Sequence, residues 1–197
     1  MQCGNKTKDV NVNMNNGIET EDSTVYTTED TKEVAPKDSA EYIIEFDDLN
    51  EVPIDDEYGA HGALEKESFT IEEMIVYAMQ DELFARGEYE YIIQELGAQK
   101  PFTNISQSER NHINMLRPYL RKYEIVIDED QWKEEIVYPT SIKEALDTCI
   151  NAEIYNIEMY EKFLKQELPE DLRITFDKLK RGSENHLESF QKSRSKY

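Results

Sequence analysis

The chain is 197 residues long, room for one domain with an appendage, and carries 43 acidic against 22 basic residues for a net charge of −21. That balance argues against a nucleic-acid partner and against a polybasic membrane patch. Two cysteines, three histidines and no C-x-x-C exclude a disulfide framework and a thiolate zinc site, and no apolar run approaches the ~18 residues of a membrane span.

Residues 1–67 read as an acidic, largely disordered leader or tether. They hold 18 acidic and 5 basic residues and lack apolar periodicity. Tyr42-Ile-Ile-Glu-Phe46 is the exception, a short segment that can dock as a strand or an extended arm. His61, between Gly59 and Gly62, reads as a plain loop histidine among carboxylates. The opening Met1-Gln-Cys3-Gly-Asn-Lys-Thr resembles the start of a mature bacterial lipoprotein. That resemblance implies lipidation of Cys3 and a location on the cell envelope; without a lipid Cys3 is an ordinary thiol and the chain cytoplasmic.

From Ser68 the texture changes. Thr70-Ile-Glu-Glu73 is a capping box, and the spacing predicts a helix over 71–96 closed by Gly97. Its stripe is Ile71, Ile75, Ala78, Glu82, Ala85, Tyr89, Ile92 and Leu96. A second helix is predicted over 101–122, opened by Pro101, with Pro118 inside it as a kink or early end. Its stripe runs Phe102, Ile105, Glu109, His112, Leu116, Tyr119 and Tyr123. Residues 123–139 form a long connection that Trp132 should pack down over the end of the helices. Ser141 and Glu144 make a second capping box for a helix over 141–167, with stripe Ile142, Leu146, Cys149, Glu153, Asn156, Tyr160 and Phe163. Pro169 starts the last helix, to 194, with stripe Leu172, Phe176, Leu179, Ser183, His186 and Phe190.

The two halves look like copies. Glu82 and Glu153 lie 71 apart, Tyr89 and Tyr160 also 71, and His112 and His186 74. Four amphipathic helices in two related hairpins imply an all-α, up-down four-helix bundle. Each apolar stripe is interrupted by carboxylate or imidazole at repeat-related positions. A buried carboxylate is costly unless paired or bound to metal, and inward Glu and Glu-x-x-His side chains are how carboxylate-bridged dimetal bundles hold their ions.

Residues 68–195 resemble the ferritin-like superfamily and, within it, the family catalogued as domain of unknown function 2202. The resemblance rests on Asp81-Glu82-Leu-Phe-Ala85-Arg86 with Tyr89, on Phe102-Thr-Asn104-Ile105 with Ser108-Glu109 and His112, on Ala152-Glu153 with Ile157, and on Leu179-Lys-Arg181-Gly182-Ser183-Glu-Asn185-His186-Leu187 with Phe190. It implies the metal ligands Glu82, Glu109, His112, Glu153 and His186. Ser183 stands where a complete site has another glutamate, and Glu184, one residue round the helix, should point away. Two ions can still bind with water filling the gap; if only one binds, it is expected at Glu109 and His112.

The resemblance favours iron, as one ion or two, with Mn or Zn as alternatives. The implied chemistry is oxidation of two ferrous ions, bridged by Glu109, by O₂ or peroxide. Neutral imidazoles are required, so binding should weaken below pH ~6.5. Tyr89, Tyr160, Asn156 and Ser183 are expected to touch the ligands rather than the metal, and Arg86 to pair with Glu82 or Asp81 or be solvated. Cys149 reads as a small buried hydrophobe. The expected partners are metal ions, O₂ or peroxide, a membrane only through a lipid on Cys3, and a second copy of the chain as a homodimer. The competing reading is a non-enzymatic, membrane-tethered helical module whose metal site is structural or vestigial.

Overall fold

A computed structural model of the chain describes residues 58–134 and 138–197. All of them fall in the second of the chain's two units, Ile44–Tyr197. The expectations for Cys3 and for Tyr42–Phe46 lie outside the described residues. Among those residues there are five α-helices and no strand, and no helix is long and apolar enough to cross a membrane.

The helices are α1 (Gly59–Glu65), α2 (Ile71–Leu96), α3 (Phe102–Lys122), α4 (Ile142–Leu164) and α5 (Glu170–Arg194). Their ends follow from local chemistry. Thr70 and Glu73 close the capping box at α2, and Gly97 ends it with φ of 64°, a left-handed conformation that glycine adopts at no steric cost. At α4 the Ser141 hydroxyl accepts from Glu144 N–H. The reciprocal half of that expected box is missing: Thr140 offers both its N–H and its hydroxyl to the Glu144 carboxylate, each at 2.8 Å. α3 continues past Pro118 to Lys122.

α2 packs on α3 as one hairpin and α4 on α5 as the other; α2 also meets α4, and α3 meets α5. The apolar interior falls into two clusters. One gathers Met79 and Leu83, Ile113 and Leu116, Met159 to Phe163, and Leu172 to Leu179. The other gathers Ala85, Tyr89 and Ile92 with Phe102, Ile105, Leu146, Cys149 and Phe190. On every long helix the residues between these clusters are the polar interruptions of the stripe. The core is thus two apolar layers with a polar layer between them.

Two elements differ from expectation. Residues Gly59–Glu65, inside the expected leader, form α1, packed against α2 and α4. The free N–H groups at its start are taken by α2: Gly59 N–H donates to Gln80 Oε1 at 3.1 Å and Ala60 N–H to Asp81 Oδ1 at 3.0 Å. The 123–141 connection carries a short 3₁₀ turn, Gln131–Glu134, that lies along α2 at Gly87 rather than over the end of the helices. A Cβ on Gly87 would sit 2.4 Å from the Trp132 ring, so only glycine admits the indole there.

Candidate metal centre

Glu82, Glu109, His112, Glu153 and His186 are all buried, none more than 6 % exposed. α2 and α4 each bring one glutamate, α3 brings Glu109 and His112 one turn apart, and α5 brings His186. The five expected ligand residues therefore meet in one layer. Glu109, His112 and His186 come closest, with one ligand atom from each all within 4.8 Å of one another.

The imidazoles stack with centroids 5.3 Å apart and planes 23° apart, and both turn Nδ1 towards the carboxylates. His112 Nδ1 lies 2.8 Å from Glu109 Oε2 and 2.9 Å from Glu82 Oε2. His186 Nδ1 lies 2.9 Å from Glu109 Oε1 and 3.3 Å from Glu153 Oε1. Glu109 thus stands between the two rings. The two tyrosines reach across the hairpins: Tyr89 O–H donates to Glu153 Oε1 and Tyr160 O–H to Glu82 Oε1, each at 2.7 Å. The 71-residue spacing of both pairs makes these contacts repeat-related. Burial, then the adjoining carboxylate, pushes each phenol well above its ordinary range, so both stay protonated as donors.

Close approach is not the same as a hydrogen bond. Of the imidazole–carboxylate contacts among the described residues, only His112 Nδ1 to Glu82 Oε2 has the alignment of one. Glu109 Oε2, Glu153 Oε2 and His186 Nδ1 are buried without an aligned partner, although a buried orphan of this kind ordinarily costs about 1–3 kcal/mol. Glu109, His112 and His186 bring their ligand atoms together round one point, as the donor set of a cation site does. Among the described residues no arginine or lysine pairs with these carboxylates: Arg86 turns to Glu90, 4.0 Å away, where Arg110 also bonds at 2.8 Å.

Electrostatics follow from the crowding. Burial raises the Glu82 carboxyl to about 7, with His112 opposing and Glu109 reinforcing. Burial also raises Glu109, but the two imidazoles outweigh it and leave that carboxylate below its ordinary value. For His112, burial lowers the value, and the Glu82 and Glu109 carboxylates overcome it, to about 11. His186 is carried the same way by Glu109 and Glu153 to about 10. The expected threshold near pH 6.5 therefore moves: without metal the rings hold their protons far above neutrality.

The remaining expectations divide. Ser183 is buried on the site face, but its hydroxyl donates to the Leu179 carbonyl at 3.3 Å. Asn156 is buried with Oδ1 unpartnered. Glu184 is exposed and pairs with Lys180, and Cys149 is fully buried. Three supporting residues escaped the stripes. The Ser108 hydroxyl lies 3.5 Å from His112 Nε2, signalled only by its place four residues before the histidine. A Cβ on Gly182 would sit 2.5 Å from the His112 ring, so glycine makes room for the ligand. Glu88 is fully buried and meets Cys149 Sγ at 3.9 Å. Asp81, Ala85, Glu88 and Ile92 are themselves a 3-4 stripe, which could have revealed it.

Residues 71–196 match the model of a family described as an uncharacterized protein domain, DUF2202. The chain belongs to the DUF2202 family. The DUF2202 match takes in all four long helices and leaves out α1 and the leader. The fold is similar to the crystal structure of hypothetical protein MJ0754 from Methanococcus jannaschii DSM 2661, at 23% identity and a TM-score of 0.59, covering 67% of this chain and 85% of that one. At that identity the likeness is one of fold. No curated protein matches the chain.

Proposed function

We propose that the DUF2202 domain here is a ferritin-like four-helix bundle whose polar layer binds transition metal, iron foremost, through Glu82, Glu109, His112, Glu153 and His186. The observation that carries this reading is Glu109, placed within 3 Å of Nδ1 of both imidazoles and left with an unpaired buried oxygen. Iron, when bound, would supply the one-electron chemistry for reducing O₂ or peroxide. The chain's own part is to hold donors and to exclude water. Glu109 joins the halves, Tyr89 and Tyr160 fix the carboxylates of Glu153 and Glu82 by donating across the hairpins, and the apolar layers keep solvent out. Filling the site must release the imidazole protons.

The unpaired His186 Nδ1 favours the His186 side of Glu109 for a first ion, while the unpaired Glu109 Oε2 faces His112. Glu82 spends one oxygen on Tyr160 and the other on His112, so that half is closed on itself. The expectation of a first ion at Glu109 and His112 shares Glu109 with this reading, and Glu109, His112 and His186 bring their ligand atoms within 4.8 Å of one another. The competing reading, a helical module with a structural or vestigial site, draws on the same closed half and on Ser183 in place of a fourth carboxylate. The test is anaerobic addition of Fe(II) followed by O₂ or peroxide, watched by absorbance. A ligand-to-metal band that is lost in Glu109→Ala supports a reactive iron site. Metal that binds without any spectral change on oxidant supports the structural one.

A further inference from the structure

A cavity of about 550 Å³ lies between α1, α2 and α4, beside the polar layer but outside the cluster of Glu109, His112 and His186. Its floor is acidic and buried: Glu88, Glu153 and Asn156 line it, none more than 4 % exposed. Each of the three presents an oxygen with no hydrogen-bond partner, Glu88 Oε1, Glu153 Oε2 and Asn156 Oδ1. Its wall and mouth are aromatic. Phe84 is half-buried, while His61 and Tyr155 are exposed, with ring centroids 4.6 Å apart and planes tilted by 55°. Among the described residues, no lysine or arginine lines it.

Three unpaired acceptors on the floor call for a ligand that donates, and two of them are carboxylates, which call for positive charge. A bare metal ion does not suit. Among the described residues, the only three His, Cys, Asp or Glu side chains that gather their ligand atoms around one point are Glu109, His112 and His186. The carboxylates of the cavity do not close round an ion. The volume, within the range of small-molecule pockets, and the aromatic wall suit an organic body, and aromatic faces favour a cationic one.

We propose that this cavity binds a small organic ammonium ion, its charged nitrogen between Glu88, Glu153 and Asn156 and its carbon chain against Phe84 and Tyr155. The site stands independently of the metal reading, although Glu153 belongs to both. It also gives α1 a role: with Gln80 and Asp81 holding its first turn, α1 closes one side of the pocket.

The test is calorimetric titration of n-butylamine into the full-length chain at pH 8, above the value of about 7 to which burial raises Glu88. Saturable one-to-one binding is expected, with n-butanol and butyrate at least about tenfold weaker. Glu88→Gln should weaken the amine by at least about tenfold. Ala152→Phe, which fills the cavity from α4, should do the same while the far-ultraviolet circular dichroism stays that of the wild type. Unchanged affinity after removal of metal by chelator separates this site from the metal centre. No saturable heat, equal affinity for butanol, or binding indifferent to both variants overturns the proposal.

Discussion

The two hairpins carry related residues and satisfy them differently. In the first, Glu82 has both oxygens hydrogen-bonded, to Tyr160 and to His112, and the unpaired atom is Glu109 Oε2, beside His112. In the second, Glu153 keeps an unpaired buried oxygen and His186 an unpaired Nδ1. The contrast traces to one residue. α3 offers Glu109 one turn before its histidine, whereas α5 offers Ser183, whose hydroxyl turns back to Leu179. Glu109 must therefore stand between both rings, and His186 Nδ1 is left without an aligned partner on the α5 side. An open half costs stability and gains receptivity to a cation, a trade expected at a functional site.

The contrast can be broken most strongly through the histidines. His186→Ala should weaken the first metal equivalent by at least about 100-fold, since even indirect partners of a metal ligand cost 10–100-fold. His112→Ala should cost about tenfold. Calorimetric titration with Mn(II) measures both, and the reverse ranking would place the first ion on the closed half.

Acidity is the next lever. His112 and His186 hold protons up to about 11 and about 10, so each proton displaced by metal makes affinity rise about tenfold per pH unit. The rise should continue from pH 6 to pH 9, where an ordinary imidazole would level off near 6.5. The linkage sign is the opposite for the metal-free protein. Both rings are raised above their unfolded value, so their contribution is complete below pH ~6.5 and is lost as pH rises through about 10 to 11. Urea unfolding of metal-free protein between pH 6 and 9 should show that fall.

Ser183→Glu sharpens the comparison by restoring the missing carboxylate. It should tighten a second metal equivalent by about tenfold and destabilise the metal-free fold by a few kcal/mol, as an added buried charge does. The tyrosines test the same asymmetry at smaller scale. Tyr89→Phe removes the one hydrogen bond that Glu153 accepts among the described residues, whereas after Tyr160→Phe Glu82 still has His112. Urea midpoints should show a loss of about 1–3 kcal/mol for Tyr89→Phe and less for Tyr160→Phe.

Much of this was legible in the chain. The α5 stripe of Leu172, Phe176, Leu179, Ser183, His186 and Phe190 is buried at every position, because one face of a solvent-edged helix meets the core. α2 is less legible. Met74 to Gln80 are buried as a continuous run, since α1 and Trp132 cover faces that a single stripe leaves to solvent. α1 itself was hidden because its seven residues carry two glycines and one leucine, too little periodicity to announce a helix. The five expected ligands were visible as polar breaks in apolar stripes. Which of their oxygens stay unpaired was not, because that depends on the cross-hairpin reach of Tyr89 and Tyr160 and on the turn of Ser183 towards its own backbone. Those are tertiary facts with no local signature.

The most direct test is elemental analysis of wild type and Glu109→Gln, a change of nearly equal shape, each saturated with Fe(II) anaerobically and then desalted. A metal centre built on Glu109 predicts about one to two metal ions per wild-type chain and under about a tenth of that in the variant. A wild type that retains no metal, or equal metal in both proteins, would contradict it.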